Sequence, residues 1–265
     1  KKRNDSYKFQ HLKWDRVEWF FVFLLHRITG SGASFEADHG YRNTILPKIA
    51  ELENIDEMVM LIKDYETPMF TSIGNQIPMF PKPRRGYSKG GKLFMCEYMP
   101  QLARDTWGYI SEINDHRKAT IREVVDFMCE WNRTRGMKRF HFQYTAAAAD
   151  LADYYPEFVD ADSHMYYGKN AKESMDMMAN KNGRYRKDLF YDYVMEEAMS
   201  KTGGAPRDLE DVMCDYIRYV ENYIPSSKQK TYEHLDRTKV WNSSSITDHS
   251  KGRQKWKLNT DQWEW

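Results

Sequence analysis

Cysteine is scarce: Cys96, Cys129 and Cys214 are the only three in 265 residues, with no CxxC spacing. An odd, scattered set shows no disulfide framework and points to reduced thiols in a cytoplasmic compartment. The eight histidines form no HExxH or HxH pair, so no His/Cys metal site is expected. Long apolar runs are missing as well. The best begins at Trp19 and stops at His26-Arg27, far short of the ~18–20 residues of a membrane span. The opening Lys1-Lys2-Arg3-Asn4-Asp5 carries no apolar secretory segment, so a soluble chain with no membrane partner is expected. Charge of one sign is not in excess, since 40 Lys+Arg face 39 Asp+Glu for a net +1. Bulk attraction cannot hold nucleic acid here, although a local basic groove still can. No Walker or dinucleotide glycine pattern occurs and no Gly-x-Ser-x-Gly elbow, which removes nucleotide-triphosphate, NAD and elbow-serine chemistry. No cofactor is expected.

What is present is helix after helix. From Asp15, apolar residues at Val17, Phe20, Phe21, Leu24, Leu25 and Ile28 fall on one helical face, with Asp15 and Glu18 as a capping box and Gly30 as a stop. Asn54 with Glu57 and Thr120 with Glu123 repeat that signal, the latter before a helix that Gly136 ends. The alanine-rich stretch Phe140 to Tyr155 reads as a helix closed by Pro156. Another runs from Lys187 to Lys201 into Gly203-Gly204, and Pro206 opens a last one that Pro225 closes. Glu97 to Asn114 is helical in pattern but expected to break at Pro100. No alternating strand pair with a hairpin turn appears, so a sheet is improbable. The expectation is an all-α fold, one helical body over residues 1–225, with residues 226–265 as a Trp/Lys/Ser-rich extension.

Two segments stand apart. Residues 66–92 hold Pro68, Gly74, Pro78, Pro81, Pro83, Gly86, Gly90 and Gly91, too much punctuation for a helix. A loop of that length inside a domain is functional or disordered. It carries Lys82, Arg84, Arg85, Lys89 and Lys92, with Phe80 and Tyr87 among them. The carboxy-terminal extension holds Trp241, Trp256, Trp263 and Trp265. It reads either as a tail whose tryptophans dock on the body or as an arm that touches nucleic acid or a partner.

Four clusters carry possible chemistry. His26-Arg27 closes the first helix, where a cation also serves as a simple cap. Glu36, Asp38, His39, Arg42 and Asn43 then crowd one connector, and such a set can hold a phosphorylated ligand. Asp150 and Asp153 lie one turn apart on a shared helix side, paired carboxylates that can share a metal, supply a general base or stay solvated. Gly168-Lys169-Asn170 precedes a helix start, the minimal anion site of free N–H groups plus a cation. Last come Glu210-Asp211 and Cys214-Asp215 on the final strong helix, where Cys214 reads as a structural thiol rather than a nucleophile.

In this order the segments FLLHRITGSGASFEADHGYRNTIL, QYTAAAADLADYYPEFVDAD, YYGKNAKESM and LEDVMCDYIRY resemble the alpha-glutamyl/putrescinyl thymine pyrophosphorylase family. These are the amino acid:DNA transferases of bacteriophage thymidine hypermodification. The resemblance spans roughly Trp14 to Val220, and the ordered set rather than any one motif is specific. The family turn is usually richer in Gly and Pro than Gly168-Lys169-Asn170, and Cys214-Asp215 stands where Cys-Glu is more usual.

The resemblance implies an all-helical fold similar to helix-hairpin-helix DNA glycosylases. It implies a reaction on double-stranded DNA carrying 5-hydroxymethyluracil activated as a pyrophosphate ester, with an amino acid or polyamine displacing pyrophosphate. Arg27, Arg42 and the Gly168 turn would hold the leaving group, and Asp150 or Asp153 would take the amine's proton. His26, Asp38, Asn43, Lys169, Asn170 and Asp211 would complete the substrate site. The 84–92 loop would grip a duplex from which the target base is flipped. Asp150, following the small alanines, is expected to be the more buried of the two aspartates. Two other readings stand beside this one: a DNA glycosylase on the same scaffold, and a non-enzymatic helical DNA-binding protein.

Overall fold

A computed structural model describes residues 13–29, 49–64, 90–137, 140–178 and 188–223, together with 81, 86, 240–241 and 258–259. The chain divides into two compact units, Lys1–Tyr166 and Tyr167–Trp265. Their described residues are mainly helical, in keeping with an all-α chain. No described helix is long and apolar enough to cross a membrane.

In the first unit, α1 (Arg16–Thr29) starts where the sequence places it. Asp15 Oδ1 accepts from Val17 and Glu18 N–H, and Glu18 Oε2 accepts from Asp15 N–H at 2.8 Å. These bonds satisfy donors that a helix start leaves without intrahelical partners. Helix α2 (Ile55–Asp64) is capped by Asn54, whose Oδ1 accepts from Glu57 N–H at 3.0 Å. Helix α5 (Ile121–Thr134) carries the full Thr120–Glu123 capping box and ends at Gly136, whose φ of +69° suits glycine. Helix α6 (His141–Tyr154) is the alanine-rich one. Ala147, Ala148, Ala149 and Ala152 are all buried, and their small size lets α1 pack on one side and α5 on another. Phe20, Phe21, Leu24 and Leu25 of α1, Met128 of α5 and Tyr144 of α6 are fully buried.

Pro100 does not break its helix. It sits in the first turn of α4 (Met99–Asn114), where a missing N–H costs no intrahelical bond. A π-turn over Phe94–Tyr98 precedes it, closed by Met99 N–H donating to Phe94 O. Gly90, Gly91 and Lys92, expected in the loop, instead belong to a short helix, α3 (Gly90–Leu93). Burial of Leu93, Phe94 and Met95 anchors this run, which outweighs the poor helix propensity of two glycines.

The expectation of no sheet needs a small correction. Strand β1 (Ala119–Thr120) pairs in parallel with β2 (Val159–Asp160), and β3 (Val240–Trp241) pairs antiparallel with β4 (Leu258–Asn259). Two-residue ladders leave no alternation to read in sequence. The first ladder matters because it ties the chain after α6 back to the start of α5. Asn114 Nδ2 donates to Phe158 O at 3.2 Å, Ser163 Oγ accepts from Ile121 N–H at 2.9 Å, and Arg122 donates twice to Met165 O.

In the second unit, α7 (Lys169–Met178) packs on α9 (Pro206–Tyr223), and α8 (Asp188–Thr202) ends at Gly203 with φ +69°. Buried Ser174 donates to Met213 O at 2.5 Å, locking α7 to α9.

Candidate functional site

Helices α1 and α6 run antiparallel, as their side-chain pairing shows. Trp19 and Phe23 meet Tyr154 at ring-centroid distances of 4.7 and 5.6 Å. One turn onward in α1 and one turn back in α6, Arg27 meets Asp150. Arg27 Nε donates to Asp150 Oδ2 at 2.5 Å and Nη2 donates to Oδ1 at 2.6 Å, a two-pronged ion pair between residues 123 positions apart. The planar guanidinium matches a carboxylate edge in this way, as a lysine cannot. The side chains are 29% and 15% exposed, so the pair is partly withdrawn from water yet open on one side.

The i, i+4 geometry explains why these groups share a surface. Phe23 and Arg27 lie on one face of α1, and Asp150 and Tyr154 on one face of α6. His26 and Arg27 are half-buried beside the fully buried Leu25 and Ile28. Asp150 is half-buried and Asp153 exposed, in the order expected from the alanine run. Burial raises the Tyr154 phenol above its usual value, and burial with the neighbouring Tyr154 pushes Tyr155 up to about 12. Asp38, Arg42 and Asn43 lie outside the described residues, as do Arg84, Arg85, Tyr87 and Lys89.

Lys92, grouped with that basic loop in sequence, has a local partner. Its Nζ donates to Lys63 O at 3.0 Å, the carbonyl end of α2, where a cation complements the helix dipole.

The residues expected at a glycine turn belong to the second unit. There Gly168 O accepts from Lys172 N–H at 3.0 Å as α7 begins. The Gly168 N–H donates to Glu210 Oε1 at 3.1 Å. A protein carboxylate thus sits where the sequence reading puts a phosphate. Lys169 lies 3.8 Å from Glu173 with its side chain 83% exposed, and Asn170 Nδ2 donates to Cys214 Sγ at 3.7 Å. Asp211, the acidic residue singled out in sequence, is exposed, whereas its neighbour Glu210 is buried. The spacing of 210, 213 and 214 on one helical face is the signal that separates them.

A cavity of about 270 Å³ lies at the other end of α1, lined by Asp15, Arg16, Val17, Trp107, Gly108 and Ser111. Arg27 follows Arg16 by eleven positions, roughly 16 Å along a helix, so this cavity is not part of the Arg27–Asp150 site. There Glu18 is pushed up to about 7 by burial and by its hydrogen bond with Asp15, which is itself lowered by that bond. Among the described residues, no group of three or more His, Cys, Asp or Glu side chains is placed to hold a metal ion. No family model, curated protein or solved structure matches this chain.

Proposed function

We propose that this protein is a transferase of DNA base hypermodification, displacing pyrophosphate from activated 5-hydroxymethyluracil with an amino acid or polyamine. The observation that supports it is the two-pronged Arg27–Asp150 pair. A cation for an anionic leaving group and a carboxylate for an ammonium proton stand in direct contact, partly shielded from water. In the reaction, the amine nitrogen forms a bond to the 5-methylene carbon and the carbon–oxygen bond to pyrophosphate breaks. The electron pair leaves with pyrophosphate, and Asp150 takes the proton shed by the nitrogen. The leaving group competes for the Arg27 fork, so its charge is met as it grows, and the carboxylate gives up that fork as it receives the proton. Arg42 and Asn43 are assigned to the same leaving group, and Arg84, Arg85, Tyr87 and Lys89 to the duplex, on the sequence motifs alone.

The test is product analysis. DNA bearing the pyrophosphorylated base is incubated with the protein and glycine, serine, glutamate or putrescine, then digested to nucleosides for mass spectrometry. A nucleoside carrying the amine, with release of pyrophosphate, is expected. Asp150→Asn should abolish transfer with DNA binding intact, and Arg27→Lys should impair it although charge is kept. A free base instead of an amine adduct would identify a glycosylase, and unchanged DNA with every amine would leave a binding protein.

A further inference from the structure

We propose that Phe23 and Tyr154 form the stacking platform for the target pyrimidine, an inference that rests on the transferase reading above. Phe23 precedes Arg27 by one helical turn and Tyr154 follows Asp150 by one turn. The two rings meet edge to face at 5.6 Å, and Tyr154 also leans on buried Trp19 at 4.7 Å with a 35° tilt. Both Phe23 and Tyr154 are half-buried, whereas Trp19 beneath them is only 6% exposed. Two aromatic rings are therefore braced from below and reach the surface directly beside the ion pair.

The spacing fits a base with a charged 5-substituent. Side chains one helical turn apart have Cβ atoms about 5–6 Å from each other. In the activated base, one methylene and one bridging oxygen separate the pyrimidine ring from the first phosphorus. A pyrimidine stacked on one of these rings and bordered by the other, whose plane is turned by 68°, thus lies one helical turn from Arg27 and Asp150, within reach of its leaving group and its reacting carbon. A flipped base needs such a surface to replace the stacking it loses in the duplex. Every base has a π-face, so the platform holds the ring while Arg27 reads the substituent.

The probe is a single-stranded oligonucleotide with one 5-iodouracil, photocrosslinked to the full chain and mapped by peptide mass spectrometry. Crosslinks to Phe23 or Tyr154 are expected. Tyr154→Leu keeps apolar bulk against Trp19 and should weaken oligonucleotide binding roughly 5- to 150-fold, with Tyr154→Phe close to wild type. Crosslinks confined to other residues would overturn the platform, as would unchanged affinity in a Tyr154→Leu protein with wild-type circular dichroism. Should Tyr154→Leu fail to fold, Phe23→Leu decides the affinity test by the same criterion. The two proposals separate cleanly. Transfer activity with crosslinks elsewhere defeats the platform alone, and crosslinks at Tyr154 without transfer defeat the reaction alone.

Discussion

The Arg27–Asp150 pair predicts a measurable coupling, and its size follows from its burial. An exposed pair contributes only about 0.2–1 kcal/mol, whereas removing one partner of a fully buried pair costs about 3–5 kcal/mol. At 29% and 15% exposure the pair falls between these limits, and it makes two charge-assisted hydrogen bonds. Arg27→Gln should therefore destabilise the protein by about 2 kcal/mol, because Asp150 keeps its charge and loses its fork. Asp150→Asn should cost about 1–2 kcal/mol, and the double variant less than the sum, for a coupling of about 1.5 kcal/mol. Urea unfolding followed by tryptophan fluorescence reads all four corners of the cycle. Salt of about 0.5 M should reduce the coupling only in part, since screening acts mainly on exposed charges. A coupling under about 0.5 kcal/mol would refute the reasoning, because the two carboxylate bonds would then be no better than surface contacts.

Three further outcomes follow from other parts of the fold. Glu18 is pushed up to about 7 from 4.5, so the native state favours its protonated form. The stability this gives is complete below about 4.5 and is lost as pH rises through 7. Glu18→Gln should flatten the fall in melting temperature between about pH 5 and about pH 8, and an unaltered pH profile would show that Glu18 does not titrate there. Gly136 holds a φ of +69°, and no atom of the described residues lies within 4 Å of the place a Cβ would take. Gly136→Ala should thus cost about 1 kcal/mol from backbone strain alone and Gly136→Asn less, as read by denaturant midpoints; equal stability of all three would remove the strain argument. Glu210 accepts from the Gly168 N–H at 3.1 Å, so Glu210→Ala should destabilise by about 1 kcal/mol and speed hydrogen exchange at the start of α7. Unchanged protection at Gly168 would show that Glu210 is not its partner.

Helix starts and stops were legible in sequence because their causes are local. The Asp15–Glu18 and Thr120–Glu123 boxes act over three residues, and Gly136 and Gly203 end helices through their own backbone angle. Each is settled within one turn, whatever the rest of the chain does. Pro100 shows where local reading stops. The same residue breaks a helix or opens one, depending on whether its missing N–H falls in the first turn, and here the buried Phe94–Cys96 segment decides that by packing. The sequence also singled out Arg27 and Asp150 separately, as a helix-end cation and a helix carboxylate. Nothing in either motif joins them, since they are 123 residues apart and only the antiparallel packing of α1 on α6 brings them into contact. The alanine run of α6 gave the order of burial of Asp150 and Asp153 but not the neighbours they meet, because a helix with apolar residues on most sides has no single face to bury. In α9, by contrast, the apolar spacing already marks the inward side, and Glu210 rather than Asp211 turns to the Gly168 amide. Composition and short-range hydrogen bonding determined which segments are helices; tertiary packing alone decided which side chains meet, because those contacts depend on the phase of each helix against its neighbours.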